Sequence, residues 1–232
     1  MEEIVLTGGR TTVGVVRVGD TVRRPLSANS PFVHDLLIHL ASRQFEGAPR
    51  YLGIDEANRE ILSFIPGYVP PDLGEFSEDQ IIAAARLLRA MHDATIDCAL
   101  RGASEIICHG DASPCNCVFV ASIPIAFIDF DVAHPGSRLD DLGYAAWLWL
   151  DFGNPDLDPQ HQGQRLRTFF AAYGAEVCDA VPAVIAAQVE LASRPGTPPG
   201  TEGWAENCRE WTYRNRATLG AACCNKTTDR TR

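Results

Sequence analysis

The chain reads His-Gly-Asp-Ala-Ser-Pro-Cys-Asn at residues 109–116 and Phe-Ile-Asp-Phe-Asp at residues 127–131. Between these segments, two short β-branched runs predict a tight hairpin. Asp111, Asn116 and Asp129 would then lie around that hairpin, where their oxygen atoms can converge on one divalent cation and one hydroxyl group. The spacing therefore predicts a site that holds a cation beside a hydroxyl-bearing molecule.

The surroundings of this segment are strongly acidic. Residues 105–158 carry nine acidic side chains against one arginine, Arg138, which gives the window a net charge of −8. Aspartate and asparagine are common turn formers, so acids that cluster in loops can simply be solvated. However, so many like charges in one segment repel one another unless cations are bound, and this favours a metal site.

Strand-like runs fill the first quarter of the chain, and helical periodicity follows. The predicted strands are 4–7, 12–18, 21–24, 50–54 and 60–65, and one predicted helix, 30–43, interrupts them. After the break at 66–71, the predicted helices begin with a capping-box pattern at Ser77 and Gln80 and continue at 142–150, 164–173, 182–193 and 204–219. The hairpin strands are predicted at 117–121 and 123–128.

These patterns predict an α+β fold with two lobes. Residues 1–66 would form a small lobe with an antiparallel sheet and one helix, and residues 67–232 a larger, mainly helical lobe. Residues 220–232 are expected to fray.

Composition and charge narrow the class of protein. Of the 232 residues, 46% are hydrophobic and 22% are charged, as in folded globular chains. The net charge of −10 makes nucleic acid and anionic membranes unexpected partners. No apolar stretch is long enough to span a membrane and no targeting signal is present, so we expect a cytoplasmic protein with reduced cysteines.

The motifs together resemble the aminoglycoside phosphotransferase family of protein-kinase-like enzymes. Its members carry His-Gly-Asp-x-x-x-x-Asn and then Ile-Asp-[Phe/Trp]-[Asp/Glu] at about this interval. The likeness continues in chain order with Gly-Gly-x-Thr at 8–11, Val-Arg-Arg-Pro at 22–25, Leu-Leu-Arg-Ala-Met-His at 87–92 and Asp-Asp-Leu-Gly-Tyr-Ala at 140–145.

The resemblance implies roles for the residues of the central motif. Asp111 would accept or orient the proton of the acceptor hydroxyl, and Asn116 and Asp129 would hold Mg²⁺ against a nucleotide. Asp131 would either add a carboxylate to a second metal ion or remain a solvated loop residue. His109 is expected to hold the loop rather than to act as a base.

In the first lobe, the resemblance implies a nucleotide site. The loop that ends at Thr11 would cover the phosphates. Kinases of this fold use a strand lysine to hold the phosphates, but the only lysine is Lys226, and Arg23 and Arg24 stand at that place in the strand. The two arginines alternate in face, and we expect Arg24 to replace the lysine because it shares a face with an apolar neighbour.

Two further features of this lobe follow from the same resemblance. The helix 30–43 lacks the glutamate that would pair with the lysine and offers only Asp35 as an acid. Backbone groups of Ser63, Phe64 and Ile65 are expected to contact the purine ring.

The sequence thus predicts an enzyme that phosphorylates a hydroxyl of a small molecule with ATP or GTP and Mg²⁺. The resemblance suggests an aminoglycoside antibiotic as acceptor, and thus antibiotic resistance, but the same motifs serve kinases for choline, homoserine, macrolides and sugars. The oligomeric state is not predicted.

Two alternatives remain open at the level of sequence. The segment ending in Asp129 and Asp131 also fits a phosphatase of the haloacid dehalogenase type, although that fold expects the motif near the N-terminus and a lysine further on. The arginine in place of the strand lysine and the missing glutamate in helix 30–43 also fit a pseudokinase-like module that binds nucleotide with weak catalysis.

Overall fold

The structure is a computed structural model that describes residues 2–6, 14–194 and 196–224. The chain divides into two compact units. The first comprises Met1–Asp72 and Leu87–Arg138, and the second comprises Leu73–Arg86 and Leu139–Arg232.

A five-stranded antiparallel sheet opens the first unit. Its strands are β1 (Ile4–Val5), β2 (Val16–Val18), β3 (Thr21–Pro25), β4 (Tyr51–Ile54) and β5 (Arg59–Ser63), in the spatial order β1-β2-β3-β5-β4. β3 therefore lies beside β5, although a helix and β4 separate the two strands in the chain. This sheet confirms the predicted strand-rich segment.

Helix α1 (Ser30–Ser42) connects β3 to β4. Pro31 stands in its first turn, where the absent amide hydrogen has no cost. The apolar face predicted from the sequence is buried: Val33, Leu36, Leu37 and Leu40 are each 1% exposed.

Four short strands complete the first unit. They are β6 (Ile106–Cys108), β7 (Cys117–Val120), β8 (Ile123–Phe127) and β9 (His134–Gly136), and they pair antiparallel as β6 with β9 and β7 with β8. Ala121 and Ser122 both have positive φ, 48° and 65°, as a two-residue hairpin turn requires. The predicted hairpin is thus confirmed.

The linker after β5 is fastened to this hairpin. Tyr68 exchanges two backbone hydrogen bonds with Phe119, at 2.9 and 2.7 Å. Gly67 has φ 158°, and a Cβ there would lie 2.6 Å from the Phe119 carbonyl oxygen, so the approach needs glycine.

Five helices, α2 to α6, follow the first five strands in the described part of the chain. Their bounds are α2 (Glu78–Thr95), α3 (Arg138–Trp149), α4 (Pro159–Tyr173), α5 (Ala180–Ser193) and α6 (Thr201–Cys224). In the second unit, α6 packs against α4 and α5. The core of this unit contains the fully buried rings of Trp147, Trp149, Phe152, Phe169 and Phe170.

Helix ends show where sequence patterns were informative. The capping box before α2 is present, since Ser77 N donates to Gln80 Oε1 at 2.8 Å and Gln80 N to Ser77 Oγ at 3.4 Å. α4 begins five residues before the predicted start at Gln164, because Asp158 accepts a hydrogen bond from His161 N and caps the helix. α6 continues to Cys224, past Gly220, where fraying was expected.

All eight cysteines are free thiols. Burial raises the pKa of Cys117 and Cys223 to about 12 and that of Cys208 to about 11. Across the residues that the structure describes, no helix combines the length and the apolar character needed to cross a bilayer.

Candidate active site

The candidate catalytic loop connects β6 to β7 and lies wholly in the first unit. It runs from His109 through Asp111 to a short 3-10 helix, Pro114–Asn116. β6 pairs with β9 while β7 pairs with β8, so the segment between β8 and β9, which carries Asp129 and Asp131, is held beside the loop.

Ile128 joins the two segments through its backbone. Its amide donates to the carbonyl oxygen of Asn116 at 2.9 Å, and its carbonyl oxygen lies 3.1 Å from Nε2 of His109. The Asn116 side chain donates to Asp111 Oδ2 at 2.8 Å and to the Asp111 carbonyl oxygen at 3.1 Å. The structure thus brings Asp111 and Asn116 into contact. Asp129 directly follows Ile128, whose backbone binds the loop.

His109 is a structural tie between these segments. It is fully buried, and its Nδ1 accepts a hydrogen bond from Asp111 N at 3.3 Å. The proton of the ring therefore lies on Nε2, which donates to Ile128. The ring also packs against Phe130, with centroids 4.4 Å apart. These contacts use both ring nitrogens and support the expected role in holding the loop.

Gly110 is required at the closest approach of the two segments. Its φ is 78°, and a Cβ there would lie 2.5 Å from the carbonyl oxygen of Val132. We expect Gly110→Ala to lower stability by on the order of 1–3 kcal/mol and to disturb the site, because both the backbone angle and the contact become unfavourable. Thermal unfolding measures the effect.

Gly102→Ala is the matched control for this variant. Gly102 also has a positive φ, 57°, but a Cβ there would meet no atom within 4 Å. The melting temperature should fall less than for Gly110→Ala. Equal losses would show that the approach to Val132 has no energetic importance.

Arg24 lies at the centre of an ion-pair network in the same unit. Its side chain is 9% exposed, and it bonds Glu60 Oε1 through Nε at 2.5 Å, Asp129 Oδ1 through Nη1 at 3.0 Å and Asp131 Oδ1 through Nη2. Burial works to lower the pKa of Arg24, but the three carboxylates, Asp131 first, outweigh burial and raise it. The guanidinium is therefore permanently charged beside the predicted metal ligand.

Arg23 has different partners. Its Nε lies 3.7 Å from Asp55 Oδ2, and its Nη1 donates to Thr21 Oγ1 at 2.6 Å. Arg24 is thus the arginine that lies beside the Asp129 segment. Thr11 lies outside the described residues.

Asp131 is half-buried rather than solvated. Burial raises the pKa of its carboxyl, the guanidinium of Arg24 opposes the rise, and the charge of Asp129 adds to it. The backbone of this segment is also held by Asn29, the residue before α1, whose Nδ2 donates to the carbonyl oxygens of Asp131 at 2.8 Å and of Ala133 at 3.2 Å.

Glu60 and His34 belong to the same network and were missed in the sequence. Glu60 is fully buried in β5, directly opposite Arg24 in β3, and its Oε2 lies 2.7 Å from His34 Nε2 on α1. The only sign in the sequence was that Glu60 shares a strand face with the apolar Leu62. This sign could not be interpreted without knowing that β3 and β5 are neighbours.

The segment expected to contact a purine uses part of its backbone within the sheet. The amide of Ser63 donates to the carbonyl oxygen of Arg50, and that of Phe64 to the carbonyl oxygen of Asp20, both at 2.9 Å. These two amide groups are therefore engaged, and a contact of Ser63, Phe64 or Ile65 with a nucleotide stays a prediction.

The residues present fit a divalent cation. Glu60, Asp129 and Asp131 carry three negative charges against the single positive charge of Arg24, and Asp111 adds a fourth carboxylate nearby. Within the described ranges, no three His, Cys, Asp or Glu side chains surround a common metal position. A cation held by Asn116 and Asp129 would complete its shell with phosphate oxygens and water, as Mg²⁺ commonly does.

The fold is similar to that of several solved phosphotransferases. The structure is similar to APH(2")-IIa in its gentamicin complex (TM-score 0.57, 13% identity, 94% of this chain and 90% of that chain) and to ADP-bound aminoglycoside phosphotransferase APH(2'')-Ib (0.55, 13%, 95% and 94%). It is also similar to ethanolamine kinase of Plasmodium vivax (0.54, 12%, 88% and 82%). The α+β kinase-like fold and the resemblance to aminoglycoside phosphotransferases are thereby confirmed.

Sequence similarity places the chain more narrowly. It is 30% identical to the trifolitoxin immunity protein of Rhizobium leguminosarum bv. trifolii over an alignment of 261 residues, which covers 95% of this chain and 98% of that protein. The chain belongs to the same family as this immunity protein. No protein-family model matches the chain.

Proposed function

We propose that the chain is a phosphotransferase that moves the γ-phosphoryl group of ATP or GTP to a hydroxyl of a small molecule. The observation that carries the proposal is the arrangement around Ile128, which fixes Asp111 against Asn116 and sets Asp129 beside them. Phosphoryl transfer depends mainly on positioning and on neutralising phosphate charge, and these residues and Arg24 supply both.

In this proposal Asp111 orients the acceptor hydroxyl and takes its proton as the oxygen attacks the γ-phosphorus, and ADP or GDP leaves. Asn116 and Asp129 would hold Mg²⁺, which neutralises charge on the phosphate oxygens when it is bound. Arg24 adds a guanidinium that can bind phosphate through two hydrogen bonds. His109 keeps the loop in place.

The assignment of lobes is part of the same proposal. Residues 1–66 would bind the nucleotide, with Arg24, Thr11 and the segment Ser63–Ile65 as contacts. Residues 67–232 would supply catalysis and the acceptor site. Because the reaction consumes a nucleoside triphosphate, we place the protein in the cytoplasm.

The proposed acceptor is an antimicrobial compound, and phosphorylation would inactivate it. Two similarities support this class. The relative at 30% identity is named for immunity to trifolitoxin, and a protein of similar fold is solved with gentamicin. An aminoglycoside is one candidate acceptor and a toxin related to trifolitoxin is another.

A combined protection and transfer experiment tests this function. The panel consists of aminoglycosides and toxins related to trifolitoxin. A sensitive bacterium expressing the wild type should survive at least one of these compounds, and the purified protein should transfer labelled γ-phosphate to that compound. Asp111→Asn should abolish both effects. Protection that persists in Asp111→Asn without transfer would instead identify a pseudokinase-like binding module.

The two arginines of β3 should differ in their effect on nucleotide affinity. Arg24→Ala should weaken binding of Mg²⁺-ATP or Mg²⁺-GTP by about tenfold or more, because hydrogen bonds between charged groups contribute about 1.5–3 kcal/mol. Arg23→Ala should change the affinity less, because its contacts are with Asp55 and Thr21. Titration calorimetry measures both variants, and the reverse order would reassign the phosphate contact to Arg23.

A further inference from the structure

The carboxyl of Glu60 is fully buried in β5, a strand with a neighbour on each side in the sheet. An ionised carboxylate is stable in such a place only when it is paired and hydrogen-bonded. Glu60 satisfies this requirement with one oxygen for each of two partners, Arg24 Nε at 2.5 Å and His34 Nε2 at 2.7 Å. The acid is thus tied to β3 on one side and to α1 on the other.

The bond to Nε determines where the guanidinium points. A guanidinium is planar, so fixing the Nε hydrogen fixes the direction of the two Nη groups. In Arg24 these groups reach Asp129 at 3.0 Å and Asp131. Glu60 therefore sets the direction in which Arg24 presents its charge.

His34 holds Glu60 from the opposite side. Its ring stacks on Tyr51 of β4, with centroids 3.9 Å apart and planes at 17°. The ring is 11% exposed, and its Nε2 donates to Glu60 Oε2, because an ionised carboxylate can only accept. Elements α1, β3 and β5 thus meet at one carboxylate, and β4 packs against the histidine that holds it.

From this geometry we infer that Glu60, supported by His34, is a positioning residue that aims Arg24 at the nucleotide phosphates. The inference rests on the proposed function of the site. Helix α1 lacks a glutamate for this purpose and carries only Asp35 as an acid. In the structure the carboxylate beside Arg24 comes from Glu60 of β5, and α1 contributes His34.

Glu60→Gln is the direct test, because glutamine keeps the size of the side chain and removes its charge. Calorimetric titration with Mg²⁺-ATP and with Mg²⁺-GTP should show an affinity about tenfold lower than that of the wild type. His34→Phe keeps a ring against Tyr51 and removes the hydrogen bond, so it should cause a smaller loss in the same direction. If Glu60→Gln does not fold, His34→Phe decides the question.

Glu56→Gln is the matched control. Glu56 is an exposed acid in the turn between β4 and β5, so the same chemical change occurs four residues away without entering the network. The affinity of the Glu56→Gln variant for either nucleotide should equal that of the wild type.

A double-mutant cycle separates positioning from a merely structural role. If Glu60 acts through Arg24, then adding Glu60→Gln to Arg24→Gln should cause no further loss of nucleotide affinity. Additive losses, or wild-type affinity in Glu60→Gln and His34→Phe, would overturn the inference and leave the proposed function intact. Failure of the wild type to bind either Mg²⁺-nucleotide would overturn both.

Discussion

Asp111→Asn should lower the rate of phosphoryl transfer by about a thousandfold while nucleotide affinity stays near that of the wild type. A positioned base contributes roughly 10²–10⁴-fold to such a reaction, and asparagine cannot take a proton from the acceptor hydroxyl. The asparagine side chain keeps an oxygen that can accept the hydrogen bond from Asn116, which is 2.8 Å long in the wild type. Rates with labelled nucleotide and calorimetric titration measure the two quantities separately.

Asp20→Asn is the control for the loss of a carboxylate. The side chain of Asp20 is fully exposed in the turn between β2 and β3. The Asp20→Asn variant should retain both phosphoryl transfer and nucleotide binding. Full transfer activity in Asp111→Asn would show that another group accepts the proton, and the role given to Asp111 would be wrong.

Asp129→Ala should remove most of the affinity for Mg²⁺-nucleotide, by about a hundredfold, because even indirect partners of a metal contribute roughly 10–100-fold. The substitution deletes both the proposed metal ligand and the partner of Arg24 Nη1, 3.0 Å away. Titration with each nucleotide, with and without Mg²⁺, measures the loss.

The backbone at Asp129 requires a second variant. Its φ is 64°, a left-handed conformation that aspartate and asparagine adopt more readily than alanine. Asp129→Asn keeps this tolerance and should also bind Mg²⁺-nucleotide poorly. Unchanged affinity in both variants, together with a loss in Asp131→Ala, would move the metal contact from Asp129 to Asp131.

The local part of the site could be predicted from the sequence. The spacing of Asp111, Asn116 and Asp129, and the turn residues between β7 and β8, lie within about twenty consecutive positions, where hairpin geometry decides what meets. The alternation of strand faces also indicated that Arg23 and Arg24 have different surroundings. The structure shows Asp111 in contact with Asn116 and Arg24 in contact with Asp129. The chemical roles of these residues stay predictions.

The long-range part of the site could not be predicted. Glu60 faces Arg24 because β3 pairs with β5, and this pairing skips α1 and β4 in the chain. Local patterns do not specify which distant strands pair, or in which register. The contact of His34 with Glu60 depends on the same arrangement, so the histidine of α1 gave no sign of its partner.

The phosphatase alternative does not fit the observed topology. Asp129 follows β8, whose partner β7 is antiparallel, and every strand pair in the described part of the chain is antiparallel. A haloacid-dehalogenase-type motif would instead lie at the carboxyl end of a strand in a parallel, doubly wound sheet.

Thermal unfolding with nucleotide tests the central claim, that the site binds a Mg²⁺-nucleotide, most directly. Wild type and Asp129→Ala are compared with ATP and with GTP, each with and without Mg²⁺. At a concentration about 100 times Kd, a bound nucleotide adds roughly 2.7 kcal/mol, which corresponds to a rise in Tm of about 5–10 °C for a chain of this size. We expect a Mg²⁺-dependent rise in the wild type that is lost in Asp129→Ala. A wild type whose Tm does not respond to either nucleotide would show that this site does not bind Mg²⁺-nucleotide.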